Sequence, residues 1–163
     1  MQAVDDHSVI VNVNAVGTDQ QFTAKNEAIV GGAFMGNTVN PSDKTTQTNQ
    51  TVIPAILGKI DGYFNKPGAT TLHEVTESYI GGKMSQTAGV SSGASGTPGS
   101  VFQAAHDAAS PQGGAYSTRY FDKQGNPMSA QRALANPSSI GQVDRYVQEG
   151  NRKPEVIQTQ SVR

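Results

Sequence analysis

The chain contains no cysteine. That excludes disulfide scaffolds, thiolate zinc knuckles and cysteine nucleophiles, so any metal must be held by His, Asp or Glu. A surplus of one charge is also missing: 12 basic and 13 acidic residues leave a formal net charge of −1, and no Lys/Arg cluster appears. Nothing here steers toward nucleic acid or an anionic membrane surface. No apolar run approaches the roughly 18 residues of a membrane span, and the N-terminus lacks a charged segment followed by an apolar core. The expectation is a chain that stays in the cytoplasm, leaves by a route needing no cleavable signal, or is a domain cut from a longer protein. Hydrophobic residues are scarce at 35%, whereas glycine (18) and proline (8) are plentiful, which implies a small core with long irregular connections. At 163 residues one domain is expected, with its core over about 8–125 and an extended C-terminal segment over 126–163. No repeat of fixed period is present, so a solenoid or propeller is not expected.

Residues 8–16, SVIVNVNAV, place Val9, Val11, Val13 and Ala15 at period two and read as a strand. Residues 27–36 read as a second strand interrupted by Gly31-Gly32. Residues 37–50, rich in Thr and Asn, read as a surface loop, and a short helix is expected near 54–60. A helix of about ten residues then starts at Thr70 or Thr71 and stops at Gly81-Gly82. On it Leu72, Val75, Thr76 and Tyr79 form the face expected to dock on a sheet, with His73, Glu77 and Ile80 beside it. Residues 89–99 form a Gly/Ser connection. Ser100 and Gln103 fit a Ser-x-x-Gln capping box opening a further helix that runs to about Ala109. Residues 115–121 read as a strand, 122–127 as a turn, and 143–147 with 155–159 as a late hairpin.

The chemistry-bearing stretch is Thr71-Leu72-His73-Glu74-Val75-Thr76-Glu77-Ser78-Tyr79-Ile80. Residues i and i+4 share a helix face, so His73 and Glu77 can reach one metal ion. Glu74 lies about 100° further round, where it can act on a water without binding the metal. This is the logic of a His-Glu-x-x-His zinc helix with glutamate as the second ligand. A zinc hydrolase needs a third protein ligand. His106, on the apolar side of its helix, is the nominee, giving a His₂Glu set of His73, Glu77 and His106 with Glu74 as general base. Tyr116 or Tyr120 is the candidate hydrogen-bond donor to an oxyanion. Asp107 is set aside as a carboxylate that would orient a ligand histidine because it points about 100° away from His106, and His7, beside Asp5 and Asp6, reads as a surface residue. The bland alternative is that Thr71-x-x-Glu74 is a capping box, with Glu77 solvated and His106 satisfied by a backbone carbonyl. No phosphate-binding Gly-x-x-x-x-Gly-Lys-Ser/Thr follows a strand, and no Gly-x-Ser-x-Gly elbow stands between a strand and a helix.

The residues Gly32-Ala33-Phe34-Met35-Gly36-Asn37, Pro67-Gly68-Ala69 leading into the His73–Tyr79 stretch, and Ala105-His106-Asp107-Ala108-Ala109 resemble the C-terminal region of Rhs-type polymorphic proteins of Bacteroidetes. The resemblance spans roughly residues 32–111. The stretch 120–126, YFDKQGN, is similar to a single Tyr-Asp repeat turn of such proteins. The resemblance implies a toxin or effector domain delivered by a contractile secretion machine, often with a cognate immunity protein. The chain departs from better-known zincin toxins, which carry histidine where it has Glu77. Together these readings predict a small α+β, zincin-like domain with a mixed or antiparallel sheet, two site helices and long loops. Its expected function is zinc-dependent hydrolysis of a protein or peptide, with an edge at 8–16 or 115–121 holding extended substrate. An amidase acting on peptidoglycan shares the same site. The rival expectation is a non-enzymatic structural or interaction component of a secretion or phage-like particle.

Overall fold

The computed structural model describes residues 5–20 and 29–162. Within them the chain is α+β, with one mixed sheet, one antiparallel sheet and four α-helices. The mixed sheet has the order β1–β3–β2, formed by β1 (Val9–Ala15), β2 (Gly32–Val39) and β3 (Thr46–Val52). β1 runs parallel to β3 in the register Val9↔Thr46 to Ala15↔Val52, and β2 is antiparallel with Gly32↔Val52. The expected strand at 8–16 is therefore β1. Of the second expected strand, residues 27 and 28 lie outside the described residues, and Gly32 to Gly36 fall in β2. A bulge between Phe34 and Asn37 is made at Gly36, whose φ of +94° is open to glycine at little cost.

The loop expected over 37–50 is largely strand instead: residues 37–39 end β2, 46–50 belong to the central strand β3, and only 40–45 form a loop. The pattern is period two after all, written in polar residues. Thr46, Thr48 and Gln50 are fully buried under a helix while Gln47 and Asn49 face out. β-branched threonine suits a pleated backbone, and hydroxyls are tolerated inside where they find partners, as Thr48 Oγ1 does with Ser78 Oγ at 2.8 Å.

Helix α1 (Pro54–Phe64) opens with proline in its first turn and closes at Asn65 in the left-handed conformation. It buries Ile56, Leu57, Ile60 and Tyr63. Ile56, Ile60 and Tyr63 join Ile29, Ile53, Val147 and Ile157 in the main apolar cluster.

Helix α2 (Ala69–Ala88) is 20 residues long, twice the expected length. It passes through Gly81-Gly82 because those glycines lie against the sheet: a methyl group at Gly82 would sit 2.6 Å from both Val9 Cγ1 and Thr48 Cγ2. The stop comes instead at left-handed Gly89. The docking face is also corrected. Thr70, His73, Glu74, Glu77, Ser78, Gly81, Gly82 and Ser85 are buried, whereas Leu72 is 54% exposed. Tyr79 is drawn outward by its hydroxyl, which donates to Asp6 Oδ2 at 2.8 Å. Small side chains let helix and sheet approach closely, which a Leu/Val face would not.

Helix α3 (Phe102–Ala108) forms without the expected capping box: Gln103 Nε2 donates to Asp107 Oδ1 at 2.9 Å, and Ser100 Oγ accepts from the Phe102 N–H at 3.2 Å. The antiparallel sheet has the order β5–β4–β6–β7, with β4 (Tyr116–Asp122), β5 (Pro127–Met128), β6 (Ile140–Val147) and β7 (Glu155–Ser161). The late hairpin expected over 143–159 is β6 and β7. Asp122 builds the turn after β4 by accepting from the N–H groups of Gln124 and Asn126 at 2.9 and 2.8 Å. Residues 127–161 are thus folded rather than extended, and they also hold helix α4 (Ala130–Ala135) and a 3₁₀ turn at Pro137–Ser139. Val147 and Ile157 from this part complete the cluster around α1, which is why the segment orders.

Candidate metal centre

The N-terminal half of α2 is positioned by α1. Asp61 Oδ1 accepts from the Thr70 N–H at 2.9 Å and from Thr70 Oγ1 at 2.5 Å, a side-chain cap supplied by another helix. Gly68, in left-handed conformation, is the N-cap residue. Glu74 therefore lies in the second turn and plays no part in capping, which removes the bland reading of Thr71-x-x-Glu74.

His73, Glu77 and His106 come together as a group that could hold a metal ion. Glu77 Oε2 lies 2.7 Å from His106 Nδ1 and 3.6 Å from His73 Nε2, and the two ring nitrogens are 3.1 Å apart. Ligands on arms of about 2.0–2.1 Å in a tetrahedron are separated by about 3.4 Å, so this triangle fits one small ion with minor adjustment. His73 and Glu77 are buried, and the His106 side chain is 35% exposed, so the group opens toward solvent on the α3 side. Phe102 tilts against the His106 ring with centroids 5.5 Å apart.

The outer contacts suit a ligand role. His73 Nδ1 is 2.6 Å from the Ser110 carbonyl oxygen, which can only accept. Nδ1 therefore carries the proton and Nε2 presents its lone pair inward. Burial disfavours the imidazolium, but the Glu77 carboxylate and the Ser110 carbonyl outweigh it, and the His73 pKa is raised above its ordinary value.

Glu74 is buried beside this group. Gln50 Nε2 donates to Glu74 Oε2 at 2.5 Å and reaches Glu77 Oε1 at 3.4 Å. A methyl group at Gly32 would overlap the Glu74 carboxylate, so the side chain lies flat on the β2 backbone. Burial, reinforced by the negative charge of Glu77, pushes the Glu74 carboxyl up from 4.5 to about 7. A carboxylate with such a value can accept a proton and return it near neutrality.

Glu74, Glu77, His106, Gln112 and Tyr116 line one cavity of about 220 Å³. Tyr116, at the start of β4, is 40% exposed. Tyr120 lies further along β4, opposite Met128 and Val143. Asp107 is engaged by Gln103, away from the group, and His7 is exposed, as expected for both. β1 is separated from the cavity by β3 and β2, so of the two expected substrate edges only β4 touches it, through Tyr116; Gly32 and Ala33 of β2 line it as well. Gln50, Ser110 and Gln112 escaped sequence reasoning. The Thr46-Thr48-Gln50 alternation was the signal for the first, and the other two follow α3 in a Pro/Gly stretch legible only as a helix stop. Among the described residues no helix is long and apolar enough to cross a membrane. No protein-family model, curated protein or solved structure matches the chain.

Proposed function

We propose that the protein is a zinc-dependent amide hydrolase, a small zincin-like metallopeptidase acting as a secreted effector. The observation that carries this reading is the convergence of His73, Glu77 and His106 on one point with a buried carboxyl, Glu74, beside it in the same cavity. Two imidazoles and one carboxylate are a donor set suited to zinc with one position left open. Bound there, the ion would supply Lewis acidity and a lowered pKa for water. Glu74 takes the proton from the attacking water as its oxygen bonds to the amide carbon. The same carboxyl then delivers the proton to the leaving nitrogen as the C–N bond breaks, giving a carboxylate and an amine. Gln50 holds Glu74 through one carboxylate oxygen and leaves the other for this transfer. The effector role rests on the Rhs-type resemblance, which also implies an immunity protein and a secretion apparatus as partners.

Of the two strands that reach the cavity, β2 offers little edge to an extended polypeptide. Beyond Ala33 the outer edge of β2 is occupied by the chain itself, since the Ser95 N–H donates to the Phe34 carbonyl at 3.0 Å and the Asn37 N–H to the Ser92 carbonyl at 2.9 Å. On β4 the side facing β5 is paired only at Tyr120 and Phe121, which leaves Tyr116 to Arg119 as the stretch beside the cavity for backbone pairing with substrate. The test is elemental analysis of metal content, with hydrolysis of a protein mixture and of peptidoglycan fragments by wild type and Glu74→Gln. Stoichiometric zinc in both proteins, with turnover reduced about 10²–10⁴-fold in the variant, is the expected result. A folded protein that takes up no zinc would sink the reading and favour the non-enzymatic one.

A further inference from the structure

We infer that the Gln112 carboxamide is the donor that meets the substrate's carbonyl oxygen, an assignment that rests on the metallohydrolase reading of the site. Residues 110–113 run along α2 and are fastened at both ends: the Ser110 N–H donates to Thr76 Oγ1 at 3.1 Å, the two hydroxyls are 2.9 Å apart, and the Gly113 N–H donates to Thr70 Oγ1 at 3.1 Å. Thr70, His73 and Thr76 are spaced three apart, so this strap lies along one face of the helix over His73. A side chain at Gly113 would meet Asp61 Oδ1 at 2.6 Å and Thr70 Oγ1 at 2.9 Å, which fixes how closely the strap seats.

Gln112 projects between the two fastenings. Its Nε2 is 3.2 Å from His73 Nε2, the nitrogen whose lone pair faces the metal position. With His73 Nδ1 protonated toward Ser110, Nε2 can only accept, so the carboxamide turns its NH₂ group inward. A metal held by that lone pair would leave the Gln112 N–H donor free in the cavity that Gln112 and Glu74 line together. A preorganised, partly buried donor beside the open position is what a developing negative charge on oxygen requires. Gln112 forms and breaks no covalent bond.

The test uses the full chain loaded with Co(II), whose visible absorption reports the inner ligands, titrated with acetohydroxamate as the carbonyl-bearing probe. Gln112→Ala is expected to weaken acetohydroxamate binding about tenfold, the size of one good hydrogen bond, while Co(II) affinity is unchanged or tighter. Gln112→Glu, of equal length but lacking the donor, is expected to weaken the probe at least as much. Equal probe affinity in wild type and Gln112→Ala, with the Co(II) spectrum intact, overturns the assignment and leaves the metal centre standing. So does a loss confined to Tyr116→Phe, or a tenfold loss of Co(II) affinity in Gln112→Ala, which would make Gln112 a ligand. A folded wild-type chain that binds no Co(II) removes both this inference and the hydrolase reading.

Discussion

Glu74 carries two consequences that pull in opposite directions. Its carboxyl titrates at about 7 in the folded chain against 4.5 ordinarily, so the native state keeps a proton that the unfolded state releases. Stability is fully present below the unfolded value and declines as pH rises toward 7. His73 is raised as well, so its contribution is present below 6.5 and is lost as pH rises through its folded value. Thermal melts of the metal-free protein should therefore show a falling Tm between pH 5 and pH 8. Glu74→Gln keeps an acceptor for Gln50 and removes the larger of these penalties. It should be more stable than wild type at pH 8, on the order of 2 kcal/mol, while losing hydrolysis. Gly32→Ala makes the complementary case: the added methyl group displaces the Glu74 carboxylate. Activity should collapse with zinc content retained, and urea titration should show a loss of about 1–3 kcal/mol. At this scale the pairing of His73 with Glu77 was readable, because i, i+4 spacing is a geometric fact about helices, and the apolar side of α3 pointed to His106 as the residue that meets them. Gln112 was not, since nothing in a sequence says which helix a loop will lie along.

α2 shows what sequence reading of elements misses. Its start was visible within a residue or two, but its length and buried face were not. Both errors share one cause: the face that packs is made of Thr, His, Glu, Ser and Gly, so there is no apolar stripe to mark it. β3 was missed for the matching reason, as it lies under that face with threonine and glutamine inward. β1 and α1, whose buried positions are mainly apolar, were legible, and so was the β6–β7 hairpin, although β7 buries Gln158 and Gln160 beside Ile157. The glycines give a paired test. Gly82→Ala gains helix propensity worth about 1 kcal/mol yet must push Val9 and Thr48 aside, and should destabilise by about 1–3 kcal/mol. Gly62→Ala, in exposed α1 backbone with open space around it, should stabilise by about 0.5–1 kcal/mol. Urea midpoints of the two variants, measured side by side, decide this.

The molecule as a whole joins its two sheets through α1, where Ile56 and Ile60 meet Val147 and Ile157. A chain ending after residue 126 loses Val147 and Ile157 and should fail to give a cooperative thermal transition by circular dichroism. A metal held by His73, Glu77 and His106 would act on the same equilibrium. A ligand that binds only the folded state stabilises by RT ln(1 + [L]/Kd), and protons compete with a metal for the His73 imidazole. The rise in Tm on adding zinc should therefore be larger at pH 8 than at pH 6, and a chelator should reverse it.

The layer between α2 and the mixed sheet is filled largely by Asn37, Thr46, Thr48, Gln50, Ser78 and Ser85, so much of what unfolding exposes there is polar. Apolar exposure raises the heat capacity of unfolding and polar exposure lowers it. Calorimetry should consequently give a heat-capacity increment below the roughly 12–15 cal/mol/K per residue usual for globular proteins. A smaller increment flattens the dependence of stability on temperature, so the same polar interior that frames the candidate metal site also broadens the range of temperatures over which the chain stays folded.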